Sequence, residues 1–338
     1  VRNSLFGRAL EGVRVAGMIG PYQGRLVPEI TAVEVRAARR VADGLEALQL
    51  VVAPAAIVGV VEWPVSAGFA VLVYETGIHA GSRRIEIILQ LADARFRDVF
   101  RALCEDVCSV LADASDESAA VHAFHSRLMR WQSFLKRHAP EGLSLEAQVG
   151  LYGELKVMVD VLMCGGQITK VLRAWRGCKG AAQDFQFDGW ALEVKTSRAA
   201  ILERVSVSNV QQLDEDALVP LFLTVVHVQA GPVAGETLVE LVARVRERVG
   251  DVGREALDDG LMEVGYLDIH DTLYSGTKYG ILEVLHHEVR DGFPRIQREQ
   301  LPDGVKKVRY DISIDAARGF RVSESAVYTI LGRMHDGD

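Results

Sequence analysis

Two runs of alternating residues, Gln183–Phe187 and Trp190–Thr196, are separated by the dipeptide Asp188-Gly189. An Asp-Gly pair between alternating runs specifies a two-residue type I′ hairpin, because both central residues of that turn need positive φ. The turn fixes the register: Phe187 lies opposite Trp190, Gln186 opposite Ala191, Phe185 opposite Leu192 and Asp184 opposite Glu193. Phe185, Phe187, Trp190, Leu192 and Val194 then make an apolar face that has to be buried. Asp184, Gln186, Ala191, Glu193 and Lys195 share the other face. Asp184 and Glu193 fall at a non-hydrogen-bonded pair, the closer kind, where like charges destabilise a sheet. A divalent cation between them reverses that sign, and Lys195 projects from the same face beside it. The competing reading is a ribbon whose polar face is solvated.

Upstream, Ser144 is a good helix N-cap and Gly165-Gly166 a stop, so a helix is expected from Ser144 to Met163. At about 100° per residue, Leu151, Leu155, Met158, Val161 and Leu162 fall in one arc with Glu154 in its middle. A carboxylate facing a core is costly unless it is paired or binds metal. A sheet packed on this helix would bring Glu154 to the rim of the Asp184/Glu193 site; a core-edge carboxylate paired to an arginine is the plainer reading.

Elsewhere the sequence switches between helix and strand periods. Leu26–Arg36, Ala47–Val52, Phe69–Tyr74 and Arg83–Leu91 read as strands. Asp93 caps a helix whose apolar positions are Phe96, Val99, Phe100, Leu103, Val107, Val110 and Leu111. A second helix carries Val121, Phe124, Leu128, Trp131 and Leu135 and ends before Pro140-Glu141-Gly142, the best internal boundary. Beyond it, strands are expected at Ile168–Trp175, in the hairpin, at Leu221–Gln229, Tyr279–Val289 and Lys306–Ile314, with a helix at Thr237–Val249. The fold class is mixed α/β. Residues 1–140 form a strand-rich region followed by two helices, 141–250 the core that holds the hairpin, and 251–338 an α/β extension.

With 338 residues, 49% hydrophobic and 25% charged, the chain buries a substantial core and is not of the disordered class. A net charge of −8 disfavours broad binding to polyanions but leaves room for a local basic surface. The longest apolar run, Leu50 to Val61, is broken by Pro54 and Gly59 and is too short to span a bilayer. No cationic stretch leads into an apolar segment near Val1, so a soluble cytoplasmic protein without membrane contact is expected. Cys104 and Cys108, spaced i,i+4, read as buried small hydrophobes rather than zinc ligands. His122, His125, His286 and His287 read as structural. The nucleophile-elbow, dinucleotide and phosphate-loop motifs are missing, which counts against a serine hydrolase, a dinucleotide oxidoreductase and a self-contained NTPase.

The order Glu154…Asp184…Glu193-Val194-Lys195, including the Gly153-Glu154 pair, resembles the PD-(D/E)xK nuclease superfamily. The Ser-x-x-x-Gln-Leu element at Ser208–Leu213 resembles a glutamine motif that follows Glu-x-Lys in several of its branches. More narrowly, Trp131…Phe134-Leu135, Gly150-Leu151-Tyr152-Gly153-Glu154-Leu155 and Glu193-Val194-Lys195-Thr196-Ser197 resemble a bacterial family of PD-(D/E)xK motif proteins. Gln183 stands where the nominal proline would precede Asp184.

The resemblance implies a restriction-endonuclease-like core, a mixed sheet flanked by helices. It implies Mg²⁺-dependent hydrolysis of a DNA phosphodiester, with Mn²⁺ able to substitute, in a bacterial restriction or defence system. Asp184 and Glu193, with the Val194 carbonyl, would ligate the metal. Glu154 would hold a second ion or a metal-bound water. Lys195 would orient the nucleophilic water or stabilise transition-state charge, and Gln212 would orient Lys195 or a phosphate, with Gln211 equally available. Lys170, Arg173, Arg176 and Lys179 before the hairpin, and Arg198 and Arg204 after it, are candidates to track a nucleic-acid backbone, with Trp175 among them. A homodimer is expected, because double-strand cleavage usually takes two sites, and the acidic charge favours a partner subunit for target recognition. The alternatives are a non-catalytic nucleic-acid-binding or assembly subunit that kept the fold, and an RNA-directed nuclease.

Overall fold

β-Branched runs punctuated by Gly and Pro build an antiparallel sheet at the start of the chain, and longer-range pairing builds a second sheet after Gly142. The computed structural model describes residues 4–14, 20–79, 82–214, 220–232 and 235–332. Residues 1–141 and 142–338 form two compact units.

The first unit comprises α1 (Leu5–Glu11), β1 (Tyr22–Leu26), β2 (Glu34–Arg40), β3 (Glu46–Val52), β4 (Phe69–His79), β5 (Ser82–Leu91), α2 (Arg97–Ala112) and α3 (Glu117–Arg137). Its sheet runs β1-β2-β3-β5-β4, all antiparallel. The single strand expected at Leu26–Arg36 is instead the end of β1, a turn and the start of β2, with Leu26 paired to Arg36. Pro28 breaks the run, and Val27, Ile30 and Val33 are buried in the turn. Asp93 accepts from the Arg95 amide, and the helical stripe behind it is buried from Phe96 to Leu111, apart from half-buried Val110. On α3, Phe134 takes the core position and Leu135 is half-buried. Cys104 and Cys108 lie inside this core, and burial pushes both thiols up.

The second unit comprises α4 (Leu145–Met163), α5 (Ile168–Ala174), β6 (Phe185–Phe187), β7 (Trp190–Ser197), β8 (Arg204–Val207), β9 (Leu221–Gly231), β10 (Glu236–Thr237), α6 (Leu238–Glu263), α7 (Asp271–Tyr274), β11 (Lys278–Val289), β12 (Tyr310–Ser313), β13 (Arg321–Val322) and α8 (Glu324–Gly332). The main sheet runs β10-β11-β9-β7-β6, with β13 added beside β11. β7 and β9 are parallel and the other pairs antiparallel. This mixed α+β arrangement, a mixed sheet flanked by helices, is restriction-endonuclease-like. β11 is part of that sheet through β9, so residues beyond 250 build it together with the hairpin.

Both faces of β7 are covered. Phe185, Phe187, Trp190, Leu192 and Val194 pack with α4, α5 and α6 in one core. Ala191, on the opposite face, packs with Val205, Val207, Leu213, Leu223 and Ile312, where the β8–β12 ribbon lies over the sheet. A solvated polar ribbon is therefore not what forms.

Two expected elements differ. Ile168–Trp175 is a helix: Val171, Leu172 and Ala174 share the core, and Gly253 of α6 gives α5 room, since a Cβ there would stand 2.7 Å from Ile168 Cγ2. Packing outweighs the β-branched composition that favoured a strand. The helix expected at Thr237–Val249 continues to Glu263 past a kink at Gly250, whose φ of 55° and ψ of −161° are non-helical. Lys306–Ile314 is a strand only over β12. No helix among the described residues is long and apolar enough to cross a membrane.

Candidate active site

The hairpin forms in the expected register, with Phe187 opposite Trp190, Gln186 opposite Ala191 and Phe185 opposite Leu192, and Gly189 adopts φ 85°. Pairing stops there, one position short of the expected Asp184–Glu193 pair. The Asp184 carbonyl instead accepts from the amides of Arg176 (2.7 Å) and Gly177 (2.9 Å), and Asp184 Oδ2 accepts from Val194 N at 2.8 Å. The side chain takes the amide that the next rung would have used, which points the carboxylate along the strand edge.

Helix α4 starts at Ser144, whose hydroxyl accepts from Ala147 N at 3.2 Å. Leu151, Leu155, Met158, Val161 and Leu162 are all buried, and Glu154 lies in that arc. Gly153 lets the helix approach β7 closely: a Cβ there would be 1.8 Å from Thr196 Oγ1. Among the described residues Glu154 is not paired to an arginine; its Oε2 accepts from Trp175 Nε1 at 2.6 Å. Gly177 lies over two of the acids. A Cβ at that position would stand 2.6 Å from Asp184 Oδ1 and 3.2 Å from Glu154 Oε2, so both oxygens border one point in space.

Glu193 is fully buried. Its Oε1 accepts from Lys195 Nζ at 2.6 Å, and its Oε2 has no hydrogen-bond partner. Lys195 Nζ also donates to Gln212 Oε1 at 3.1 Å, and that oxygen accepts from Ser208 N at 2.8 Å. Asn209 Oδ1 caps the turn by accepting from Gln212 N at 3.2 Å. Gln212 rather than Gln211 thus touches Lys195. Gln211 contributes its carbonyl, which accepts from Gln183 Nε2 at 2.8 Å. The residue in the nominal proline position ties the hairpin to the glutamine turn.

Burial, then the Asp184 charge, pushes the Glu154 carboxyl up to about 8, against the pull of Trp175 and Lys195. Burial likewise raises Asp184, and raises Glu193 well above the usual carboxylate range with the Asp184 charge adding to it. One fully buried and two half-buried carboxylates share one ammonium, a deficit that a divalent cation matches. One oxygen of each acid, Glu154 Oε1, Asp184 Oδ1 and Glu193 Oε2, has no hydrogen bond among the described residues. These are hard donors suited to Mg²⁺ or Mn²⁺. Among the described residues no group of three or more His, Cys, Asp and Glu side chains is arranged to hold a metal ion. Val194 stands opposite Thr224 in the β7–β9 ladder, beside the acids, with its N–H committed to Asp184.

Of the expected phosphate contacts, Lys170, Arg173 and Arg176 line one cavity of about 140 Å³ with Gln186, Phe187 and Asp188. Lys179 and Arg198 are exposed outside that lining. None of these five cations forms a salt bridge among the described residues, whereas Arg204 pairs with Asp311 at 3.5 Å. Trp175 is not available for stacking on bases. It is buried, its indole is spent on Glu154, and its ring fills the space over Gly260, where a Cβ would be 2.5 Å from Cζ3. Sequence reasoning missed the parts of Trp175 and Gly177 in the site. The only signal was their place just before Asp184, in a segment read as strand and loop.

Comparison with known proteins assigns a family. The family described as "Putative PD-(D/E)XK family member, (DUF4420)" matches residues 9–315, and the chain belongs to it. No curated protein and no solved structure matches.

Proposed function

We propose that this chain is a divalent-metal-dependent endonuclease that hydrolyses DNA phosphodiester bonds in a bacterial restriction or defence system. The observation that carries the reading is Glu193: fully buried, with Oε2 unpartnered, in a cluster of three acids and one lysine. A buried carboxylate oxygen without a partner costs several kcal/mol in order of magnitude and is retained where it has a ligand to bind. Family membership supports the nuclease class, and nucleases of the PD-(D/E)XK type generally use divalent metal ions.

Asp184 and Glu193, with the Val194 carbonyl, would hold the ion, and Glu154 would complete the set across Gly177. A bound Mg²⁺ or Mn²⁺ supplies an acidified water and charge neutralisation at the scissile phosphate. Lys195, fixed between Glu193 and Gln212, presents its ammonium to the water or to the phosphate oxygen as charge builds there. Trp175 holds Glu154 in place, and the glutamine turn holds Lys195. The exposed cations Lys170, Arg173, Lys179 and Arg198, with half-buried Arg176, attract the phosphate backbone without reading sequence.

The test is cleavage of supercoiled plasmid in Mg²⁺ and in Mn²⁺, with Asp184→Ala and Lys195→Ala beside the native chain. Nicking or linearisation abolished in both variants is the expected result. Activity that persists in both would move the chemistry elsewhere, and cleavage of RNA with DNA left intact would replace the substrate.

A further inference from the structure

The segment 296–309 leaves and rejoins the fold on the two sides of the turn that holds Gln212. At its start, Arg295 Nη1 donates to Leu213 O at 2.5 Å. At its end, Tyr310 pairs with Val207, the residue before Ser208, whose amide binds Gln212 Oε1. Gln212 in turn meets Lys195. Both ends of the segment are thus one residue from the element that positions the candidate catalytic lysine. Even fully extended, such a closed segment reaches no more than about 25 Å from either anchor.

Its composition runs against its surroundings. Residues 142–338 carry 30 Asp and Glu against 22 Lys and Arg. Within 296–309, Arg298, Lys306, Lys307 and Arg309 stand against Glu299 and Asp303 alone. All four cations are exposed, and none forms a salt bridge among the described residues. Some cations elsewhere in this unit, such as Arg244, Arg246 and Arg254, are paired with acids, whereas the five around the hairpin form no salt bridge among the described residues. Unpaired cations crowded on one segment of an acidic unit repel one another. A polyanion beside the segment offsets that cost.

We propose that segment 296–309 is a DNA-backbone clamp, with Lys306, Lys307 and Arg309 contacting phosphates that flank the scissile one. This rests on the endonuclease reading and extends it to a surface that neither the motif nor the cations around the hairpin indicated. Contacts of this kind add affinity and position the duplex, and carry no sequence code.

The experiment measures binding of a short DNA duplex by fluorescence anisotropy across a salt series, in a Glu193→Gln chain so that no cleavage intervenes. Lys306→Ala/Lys307→Ala/Arg309→Ala is compared with Arg248→Ala, which takes a cation from α6. The expected result is a slope of log K against log salt reduced by about 1 for each phosphate no longer neutralised, and affinity lowered accordingly. Should the triple variant fail to fold, Lys306→Gln/Lys307→Gln carries the same measurement. A slope altered no more than by Arg248→Ala overturns the clamp. The endonuclease reading survives that result if the native chain still cleaves plasmid. A native chain that neither binds nor cleaves DNA overturns both.

Discussion

Trp175→Phe isolates the hydrogen bond that holds Glu154 while leaving an aromatic ring in the slot over Gly260. The bond removed is the 2.6 Å one from Nε1 to Glu154 Oε2. A hydrogen bond to a charged group is worth about 1.5–3 kcal/mol, or about a tenfold to hundredfold change in an equilibrium constant. Outer partners of metal ligands fall in the same range, about 10–100-fold in metal affinity. The sign follows from the titration. The indole favours the ionised carboxylate and holds the Glu154 carboxyl down toward about 8, so its removal raises that group further. At neutral pH a cation then has to displace a more tightly held proton. The half-saturating Mg²⁺ concentration for plasmid cleavage should rise about 10–100-fold. Phenylalanine also leaves a small void, costing about 1–3 kcal/mol of stability. Val171→Ala, in the same core but away from the acids, controls for that loss of packing. Both variants should lower the urea midpoint, and only Trp175→Phe should shift the metal titration. An unchanged metal requirement in Trp175→Phe, with the stability loss present, would refute the positioning of Glu154 by the indole.

Gly177→Ala places a methyl 2.6 Å from Asp184 Oδ1, so the hairpin entrance has to give way. Overpacking of this kind costs about 1–3 kcal/mol, and plasmid cleavage should fall more steeply than the melting temperature indicates. Gly180→Ala is the contrast: nothing lies within 4 Å of its Cβ, and the penalty is only that of φ 70°, about 1–2 kcal/mol. His286 is buried against Thr224 Oγ1, and burial holds its imidazole down to about 4. Because the folded value lies below the unfolded one of about 6.5, stability is present above pH 6.5 and is lost as the pH falls towards 4. Between pH 7 and pH 5 that amounts to about 2 kcal/mol, and urea titrations at the two pH values should show most of it gone in His286→Gln.

The hairpin and the helix before it were legible because their signals are local. Asp188-Gly189 selects its turn from the backbone alone, Ser144 caps its own helix, and a period-2 register carries the apolar residues to one face whatever packs there. The same register ordered Asp184, Glu193 and Lys195, and the helical period set Glu154 in its apolar arc. What sequence could not decide depended on partners far along the chain. Ile168–Trp175 has strand composition, yet it is helical because Gly253 of α6 leaves room for its apolar side. Glu193 is buried because Val205, Val207 and Ile312, from ribbons that pair across about a hundred residues, cover the face it shares with Ala191. Whether Asp184, Glu193 and Lys195 formed a solvated ribbon or a buried site turned on that layer. No local pattern encodes it, because charge in water and charge in a core are the same residues under different solvation.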